Sequence, residues 1–137
     1  MGHLNPKAPW DHIGALDEKR IQAHSKGWML PSCHLMIGES PQDAAERIAC
    51  EQLDLRNLKL SEPKVVSETG ASKLFPNLSN HWDIEFIFIG KIQRNELDRL
   101  NAWIDLEFIR PSLTERSSIA RSHEDILESS GFRFRGS

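Results

Sequence analysis

Residues 30–55, LPSCHLMIGESPQDAAERIACEQLDL, contain the clearest helix signal of the chain. Ser40 is a typical N-cap residue, Pro41 suits the first helical position, and Asp43 stands where a capping-box acid belongs. Apolar residues then recur at helical spacing and form one apolar face: Ala44, Ala45, Ile48, Ala49 and Leu53. The stretch therefore predicts an amphipathic helix that begins at residue 41 and packs on a core.

Strands are predicted on both sides of this helix. Upstream, residues 13–24 are predicted to form a short hairpin, and residues 27–31 an extended segment that Pro31 ends. Downstream, residues 63–69 have the composition of a strand, and residues 81–92 alternate apolar and acidic side chains. This alternation puts four apolar residues on one face of the strand and two acids on the other: Trp82, Ile84, Phe86 and Phe88 against Asp83 and Glu85.

The last third of the chain predicts one more strand and one more helix. Residues 103–109 repeat the alternation, with their aliphatic and aromatic positions on one face: Ile104, Leu106 and Phe108. Residues 114–130 have apolar residues at helical spacing, with His123 on the inward stripe, and Gly131 is a natural C-terminal stop. The order of strands, helix, strands and helix predicts an α/β (α+β) fold with a mixed sheet between helices. We expect one domain over residues 1–137, with short flexible ends.

The composition is that of a soluble globular protein, with 39% hydrophobic and 27% charged residues among 137. A formal net charge of -3 argues against a nucleic-acid partner. The longest apolar run, residues 84–90, is too short to cross a bilayer, and the N-terminus lacks a hydrophobic signal core. The two cysteines have no CxxC spacing, which favours reduced thiols. The sequence predicts a cytoplasmic protein without a membrane partner.

Residues 33–55 resemble the Nudix box, whose pattern is G-x5-E-x7-R-E-U-x-E-E-x-G-U, where U is a bulky aliphatic residue. Glu39, Arg47 and Glu51 match a Glu, the Arg and a later Glu of that pattern, and the match covers about a fifth of the chain. Four positions depart from it: Cys33 for the first Gly, Ile48 and Gln52 for Glu residues, and Asp54 for the last Gly. The resemblance implies a Nudix-type α/β/α sandwich in which Glu39 and Arg47 form an ion pair that supports the box.

The chemistry of the box depends on positions 48, 51 and 52, which share one face of an α-helix. In the family, three carboxylates there bind magnesium, which neutralises a diphosphate and positions an attacking water. In this chain Ile48 cannot bind an ion, Gln52 offers only a neutral oxygen, and Glu51 keeps its carboxylate. The resemblance implies magnesium, with manganese as the alternative, bound weakly by Glu51, Gln52 and the backbone carbonyl of Cys33.

Residues outside the box are candidates for the missing groups. Glu85 could complete the metal site or serve as the base, and His81 could be a general base because histidine titrates near neutral pH. The alternatives are a half-exposed strand residue and a loop histidine. Trp28 and Trp82 adjoin predicted loops and are candidates for stacking on a nucleobase. The alternative for them is a place in the core or in a homodimer interface.

Two functions follow from these patterns. The first is a Nudix-type, magnesium-dependent hydrolase of a nucleoside diphosphate linked to another group, with Glu51 as its central carboxylate and slow because the box is degenerate. The second is a non-catalytic Nudix domain that binds a nucleotide or a protein partner. The pair Ile48 and Gln52 separates them, because only the enzyme needs replacement carboxylates from outside the box.

Overall fold

The structure is a computed structural model that describes residues 1–71, 77, 81–93, 101–121 and 123–136. The chain divides into two compact units, residues 1–58 with 92–137 and residues 59–91. Each unit has one antiparallel two-stranded sheet among its described residues, and the described α-helices belong to the first unit. The predicted α+β class is therefore confirmed, while the expectation of a single domain stays a prediction.

The sheet of the first unit joins the beginning of the chain to its last third. Strand β1 (Gly2–Leu4) pairs antiparallel with Trp103–Leu106, which is strand β4 in chain order, and the register shifts between His3 and Leu4. Backbone bridges extend this pairing from Gly2 to Met29, antiparallel, and from Trp28 to Ile119, parallel. Residues 28 and 29 are therefore extended, as predicted, and neighbouring segments run in mixed directions.

The core of the first unit lies against this sheet. Its buried cluster consists of Leu4, Trp10, Ile13, Leu16, Met29, Ala102 and Trp103. The rings of Trp10 and Trp103 meet edge to face, with centroids 5.3 Å apart and planes at 80°. Each indole N–H is bonded, that of Trp10 to Asn5 O at 2.8 Å and that of Trp103 to Gln52 O at 2.9 Å. Two large aromatic side chains are thus buried without an unpaired donor.

Residues near both ends of the described chain make packing contacts, and the expectation of short flexible ends stays a prediction. Leu4 is 0% exposed and Phe134 is 4% exposed. The amino group of Met1 donates to Glu107 O at 2.8 Å, and Arg135 N donates to Thr114 O at 3.2 Å. The apolar residues near each end are buried, and the neighbouring backbone is held by hydrogen bonds.

Residues 13–24 do not form the predicted hairpin. Helix α1 spans Trp10–Ile13, and helix α2 spans Glu18–His24. Asp17 is the N-cap of α2, where its carboxylate accepts a hydrogen bond from Arg20 N at 2.8 Å. The polar residues interpreted as a turn are therefore the start of a helix, because an aspartate N-cap satisfies an otherwise unpaired N–H of the first turn.

Helix α3 (Pro41–Arg47) begins as predicted. Ser40 Oγ accepts a hydrogen bond from Asp43 N at 3.1 Å, and the Asp43 carboxylate accepts one from Ser40 N at 3.3 Å, which completes the capping box. The helix continues into a π-helical turn, Ile48–Gln52. Asp54 then adopts a φ of 51°, a left-handed conformation, at the position where the Nudix pattern has glycine.

The last third of the chain differs from its prediction in two places. On β4 the buried residue is Trp103, at 4% exposure, whereas Ile104, on the predicted apolar face, is 67% exposed. Trp103 occupies the core because its ring packs against Trp10. Helix α4 spans His123–Ser129 and is preceded by 3₁₀ turns at Pro111–Leu113 and Arg116–Ser118 instead of being continuous from residue 114. Within the described part of the chain, no helix is long and apolar enough to cross a bilayer.

The second unit contains a hairpin of two predicted strands. Strand β2 (Lys64–Gly70) pairs antiparallel with β3 (His81–Ile87), from Lys64 opposite Ile87 to Gly70 opposite His81. The strand predictions for this region are confirmed. The alternation along β3 is also present, but Trp82 on its apolar face is 66% exposed.

Candidate functional site: the Nudix-like box

The predicted ion pair between Glu39 and Arg47 is present. Arg47 Nε donates to Glu39 Oε1 at 2.6 Å, and Arg47 Nη2 donates to Glu39 Oε2 at 2.8 Å. Glu39 Oε2 also accepts a hydrogen bond from Met36 N at 3.0 Å. The Arg47 hydrogen bonds, helped by the Met36 amide, lower the pKa of Glu39 to about 2. The carboxylate is therefore charged at neutral pH and fixes the loop before α3 to the end of that helix.

Arg47 also binds the backbone of two other segments. Its Nη1 donates to His12 O at 3.2 Å and to Ile13 O at 2.9 Å, at the end of α1. Its Nη2 contacts His34 O at 3.2 Å and Cys33 Sγ at 3.4 Å. One guanidinium thus ties α1 and the loop around Cys33 to α3.

Gln52 makes a second set of internal contacts. Its side chain is fully buried, with the residue 1% exposed. Nε2 donates to Ile13 O at 3.0 Å and to Ser32 O at 2.8 Å, while Oε1 accepts from Ser32 N at 3.2 Å. A carboxylate could not make the first two of these bonds because it has no donor. These contacts argue against Gln52 as a ligand of a hydrated metal ion.

The predicted shared face of positions 48, 51 and 52 is not formed. That prediction assumed α-helical geometry, whereas Ile48–Gln52 is a π-helical turn, which is wider. Gln52 points into the interior, its neighbour Glu51 is exposed, and Ile48 is half-buried. Of the three box positions, Glu51 alone presents a carboxylate to solvent.

Glu51 has a neighbour that the sequence did not indicate. The Nε2 atom of His12, in α1, lies 3.6 Å from Glu51 Oε1, and the two side chains are 67% and 32% exposed. An imidazole and a carboxylate that both reach solvent can exchange protons with a bound water. No sequence signal could have found His12, because its proximity to residue 51 depends on how α1 packs near the π-helical turn.

The side chain of Cys33 makes contacts with Arg47 and with the backbone of α3. Its Sγ accepts a hydrogen bond from Arg47 Nη2, and the thiol lies 3.9 Å from Ala44 O. Burial raises the pKa of the Cys33 thiol, although the charge of Arg47 acts in the opposite direction. Cys33 and Cys50 are both free thiols, as predicted. Cys33 does not need a positive φ, and the metal role of its carbonyl stays a prediction.

Three of the candidates outside the box, His81, Trp82 and Glu85, lie on β3 of the second unit. His81 Nε2 is 2.8 Å from Asp83 Oδ1. Trp82 Nε1 donates to Ser67 Oγ at 2.7 Å across the hairpin. Glu85 is half-buried and stands opposite Val66. His81 and Glu85 share one face of the strand and Trp82 lies on the other, and their catalytic and stacking roles stay predictions.

Trp28 is half-buried in the first unit. Its ring contacts that of His3, with centroids 4.0 Å apart and planes at 41°. His3 Nδ1 is in turn 2.8 Å from Asp105 Oδ1. Because His3 lies against the indole of Trp28, the proposed stacking of a nucleobase there stays a prediction.

Magnesium in proteins takes oxygen ligands, which are carboxylates, substrate phosphates and waters. In the described ranges, His, Cys, Asp and Glu side chains form no group of three or more that could bind a metal ion. Glu51 is exposed, Gln52 is bonded internally, and Ile48 has no ligand atom. The box side chains by themselves do not fit a dedicated magnesium site, and the use of magnesium or manganese stays a prediction.

Comparison of the chain with protein-family models, with curated proteins and with solved structures gives no match. The Nudix resemblance therefore rests on the residues of the box.

Proposed function

We propose that this chain is a Nudix-type domain, with the α/β/α sandwich of that family, that binds a nucleotide derivative without hydrolysing it. The observation that carries the proposal is the position of Gln52, whose amide is buried and bonded to the backbone where the family places a metal-binding carboxylate. The Glu39–Arg47 ion pair of the box is kept. The departure from the family pattern therefore concerns the metal-binding positions and not the ion pair that supports the box.

Gln52 supports this proposal through the chemistry of its neighbours. Its amide donates to two carbonyl oxygens, those of Ile13 and Ser32. A carboxylate in the same place would face those oxygens without a proton to share, and a buried charge without partners is costly. The surroundings of residue 52 are therefore suited to an amide and unsuited to the glutamate of the family pattern.

A second candidate function is the slow hydrolysis of a nucleoside diphosphate linked to another group. The observation that favours it is the exposed pair of His12 and Glu51, with 3.6 Å between Nε2 and Oε1. Such a pair could remove a proton from an attacking water, and losing a well-placed acid–base group typically costs about 100- to 10,000-fold in rate. This function would use Glu51 as its central carboxylate, as the resemblance implies.

One experiment separates the two functions. The chain is incubated with nucleoside triphosphates, ADP-ribose, dinucleoside polyphosphates and nucleotide sugars, with magnesium or manganese. Binding is measured by calorimetry and products by chromatography. We expect binding of at least one compound without turnover. Turnover that falls about 100-fold or more in both Glu51→Gln and His12→Gln, but not in the exposed control Glu46→Gln, would establish the hydrolase instead.

The same samples address the other expected partners. If no compound of the panel binds or is turned over, the nucleotide proposal is wrong and the protein-partner alternative gains support. Light scattering at several concentrations measures whether the chain forms a homodimer.

A further inference from the structure

Residues 28–30 are held on one side by the segment that leads into α4. The two segments pair in parallel. Trp28 N donates to Ser118 O, and Ala120 N donates to Trp28 O, each at 2.9 Å. In a regular parallel ladder the next amide on the same side, that of Leu30, would donate to the carbonyl of Ala120. The ladder therefore has a third position, which a backbone carbonyl would ordinarily fill.

An imidazole takes the place of that carbonyl. Ala120 O accepts a hydrogen bond from His123 N at 3.2 Å instead, where the chain turns into α4. The amide of Leu30 donates to His123 Nδ1 at 2.9 Å. A carbonyl oxygen accepts at every pH, whereas Nδ1 accepts only while it carries no proton. The neutral ring therefore has its proton on Nε2, and the third hydrogen bond depends on the charge state of His123.

The surroundings of His123 disfavour a charge on its ring. The residue is 3% exposed. Burial lowers the pKa of His123 to about 3, and the charges of Arg121 and of His24, at the end of α2, also lower it. Residues 28–30 have no ionisable side chain, and the neighbouring acid on α4 is Glu124. Protonation would therefore place a buried charge and a second N–H donor where the backbone amide already donates.

The segment that His123 holds also reaches the box. Ser32 lies two residues beyond Leu30, and its backbone N–H and carbonyl both bond the side chain of Gln52. We propose that His123 is a pH-sensitive switch, which holds α4 to residues 28–30 while its ring is neutral and loosens this segment and Gln52 when it takes up a proton. The inference depends on the hydrogen bonds of the first unit and holds whether or not the chain is of Nudix type.

Urea denaturation as a function of pH tests the switch with His123→Asn, because the asparagine Oδ1 can accept in place of Nδ1 and does not titrate. The folded pKa of His123 lies below the unfolded value of 6.5, so its contribution to stability is full above that value and is lost as the pH falls. The unfolding constant of wild type relative to His123→Asn should be unchanged above about pH 7 and rise about tenfold per pH unit between about pH 6 and 4. His12→Asn, at an exposed position, is the matched control, relative to which wild type shows the same rise as it does relative to His123→Asn only if the switch is wrong.

Nuclear magnetic resonance on the full chain tests the switch at the residues themselves. In the folded protein the ring of His123 should stay neutral, with its proton on Nε2, down to about pH 4. The protection of the Leu30 amide against hydrogen exchange should fall about tenfold or more between about pH 7 and 5 in wild type and stay nearly constant in His123→Asn. If His123→Asn does not fold, the two wild-type measurements decide the test.

Two results would overturn the proposal. In the first, the ring of His123 takes up a proton near its ordinary pKa, about 6.5, while the Leu30 amide stays protected. In the second, the stability of wild type and that of folded His123→Asn depend on pH in the same way.

Discussion

The two halves of the Nudix-like box differ in what they keep. The first half, residues 33–47, retains the Glu and the Arg of the family pattern, and these residues, Glu39 and Arg47, form the expected ion pair. The second half, residues 48–55, has Gln52 where the family pattern has a glutamate, so the negative charge at that position is missing. Nevertheless both halves reach the same carbonyl, because Arg47 Nη1 and Gln52 Nε2 donate to Ile13 O at 2.9 and 3.0 Å. In this chain Glu39, Arg47 and Gln52 act as internal clamps, whereas Glu51 faces solvent.

The largest effect is expected from Arg47→Met. This variant leaves the Glu39 carboxylate, whose side chain is 13% exposed, without its charged partner, and it removes the bonds to Ile13 and His34. Breaking a buried ion pair at one partner typically costs about 3–5 kcal/mol of unfolding free energy. Urea denaturation measures this loss of unfolding free energy, with Arg56→Met at an exposed position as the control. A loss no larger than that of the control would mean that the first half of the box is not a clamp.

Gln52→Glu is expected to destabilise the protein by about 2 kcal/mol or more at pH 7, because a buried carboxylate would face two carbonyl oxygens. The folded state should raise the pKa of the new carboxyl group above its unfolded value. The variant should therefore recover stability as the pH is lowered through that folded pKa. Gln42→Glu, an exposed position on α3, is the matched control and should change stability by about 0.5 kcal/mol or less.

The stability of Glu39→Gln as a function of pH tests whether the Glu39–Arg47 ion pair stabilises the first half of the box. The Arg47 hydrogen bonds lower the pKa of Glu39 from 4.5 to about 2 in the folded protein. The wild-type pair therefore contributes its full stability above the unfolded pKa and loses it as the pH falls towards the folded one. The stability difference between wild type and Glu39→Gln should be constant above about pH 5 and shrink below it. A difference that does not change with pH would contradict the assigned role.

The smallest effect is expected from Glu51→Gln. The carboxylate of Glu51 is partly exposed and His12 is its ion-pair partner at 3.6 Å. Exposed pairs of this kind contribute about 0–1 kcal/mol. Urea denaturation should therefore place Glu51→Gln close to wild type. A loss as large as that of Gln52→Glu would show that Glu51 also acts as a structural residue.

The parts of the fold that the sequence predicted are those set by neighbouring residues. The capping box of α3, for example, depends on Ser40 and Asp43, which are three residues apart. The start of α2 at Asp17 is equally local, and its N-cap signal was misinterpreted as part of a hairpin turn.

The features that the sequence could not predict depend on distant residues. Gln52 is buried because Ile13 and Ser32 supply acceptors and Trp103 donates to its backbone carbonyl. The π-helical turn places Gln52 inside while Glu51 stays outside, whereas an α-helical pattern predicts one shared face. The contact of His12 with Glu51 likewise follows from packing between segments that are far apart in sequence.

The most direct test of the internal-clamp account measures the urea stability of Gln52→Glu with and without magnesium. A ligand that binds only the folded state stabilises it by RT ln(1 + [L]/Kd), so about 10 mM magnesium would rescue a variant whose metal site had been rebuilt. The account predicts that Gln52→Glu is destabilised and that magnesium does not restore its stability, because the new carboxylate is enclosed by Ile13 and Ser32 carbonyls. Restoration to wild-type stability by magnesium, at an ionic strength where sodium chloride has no such effect, would contradict it.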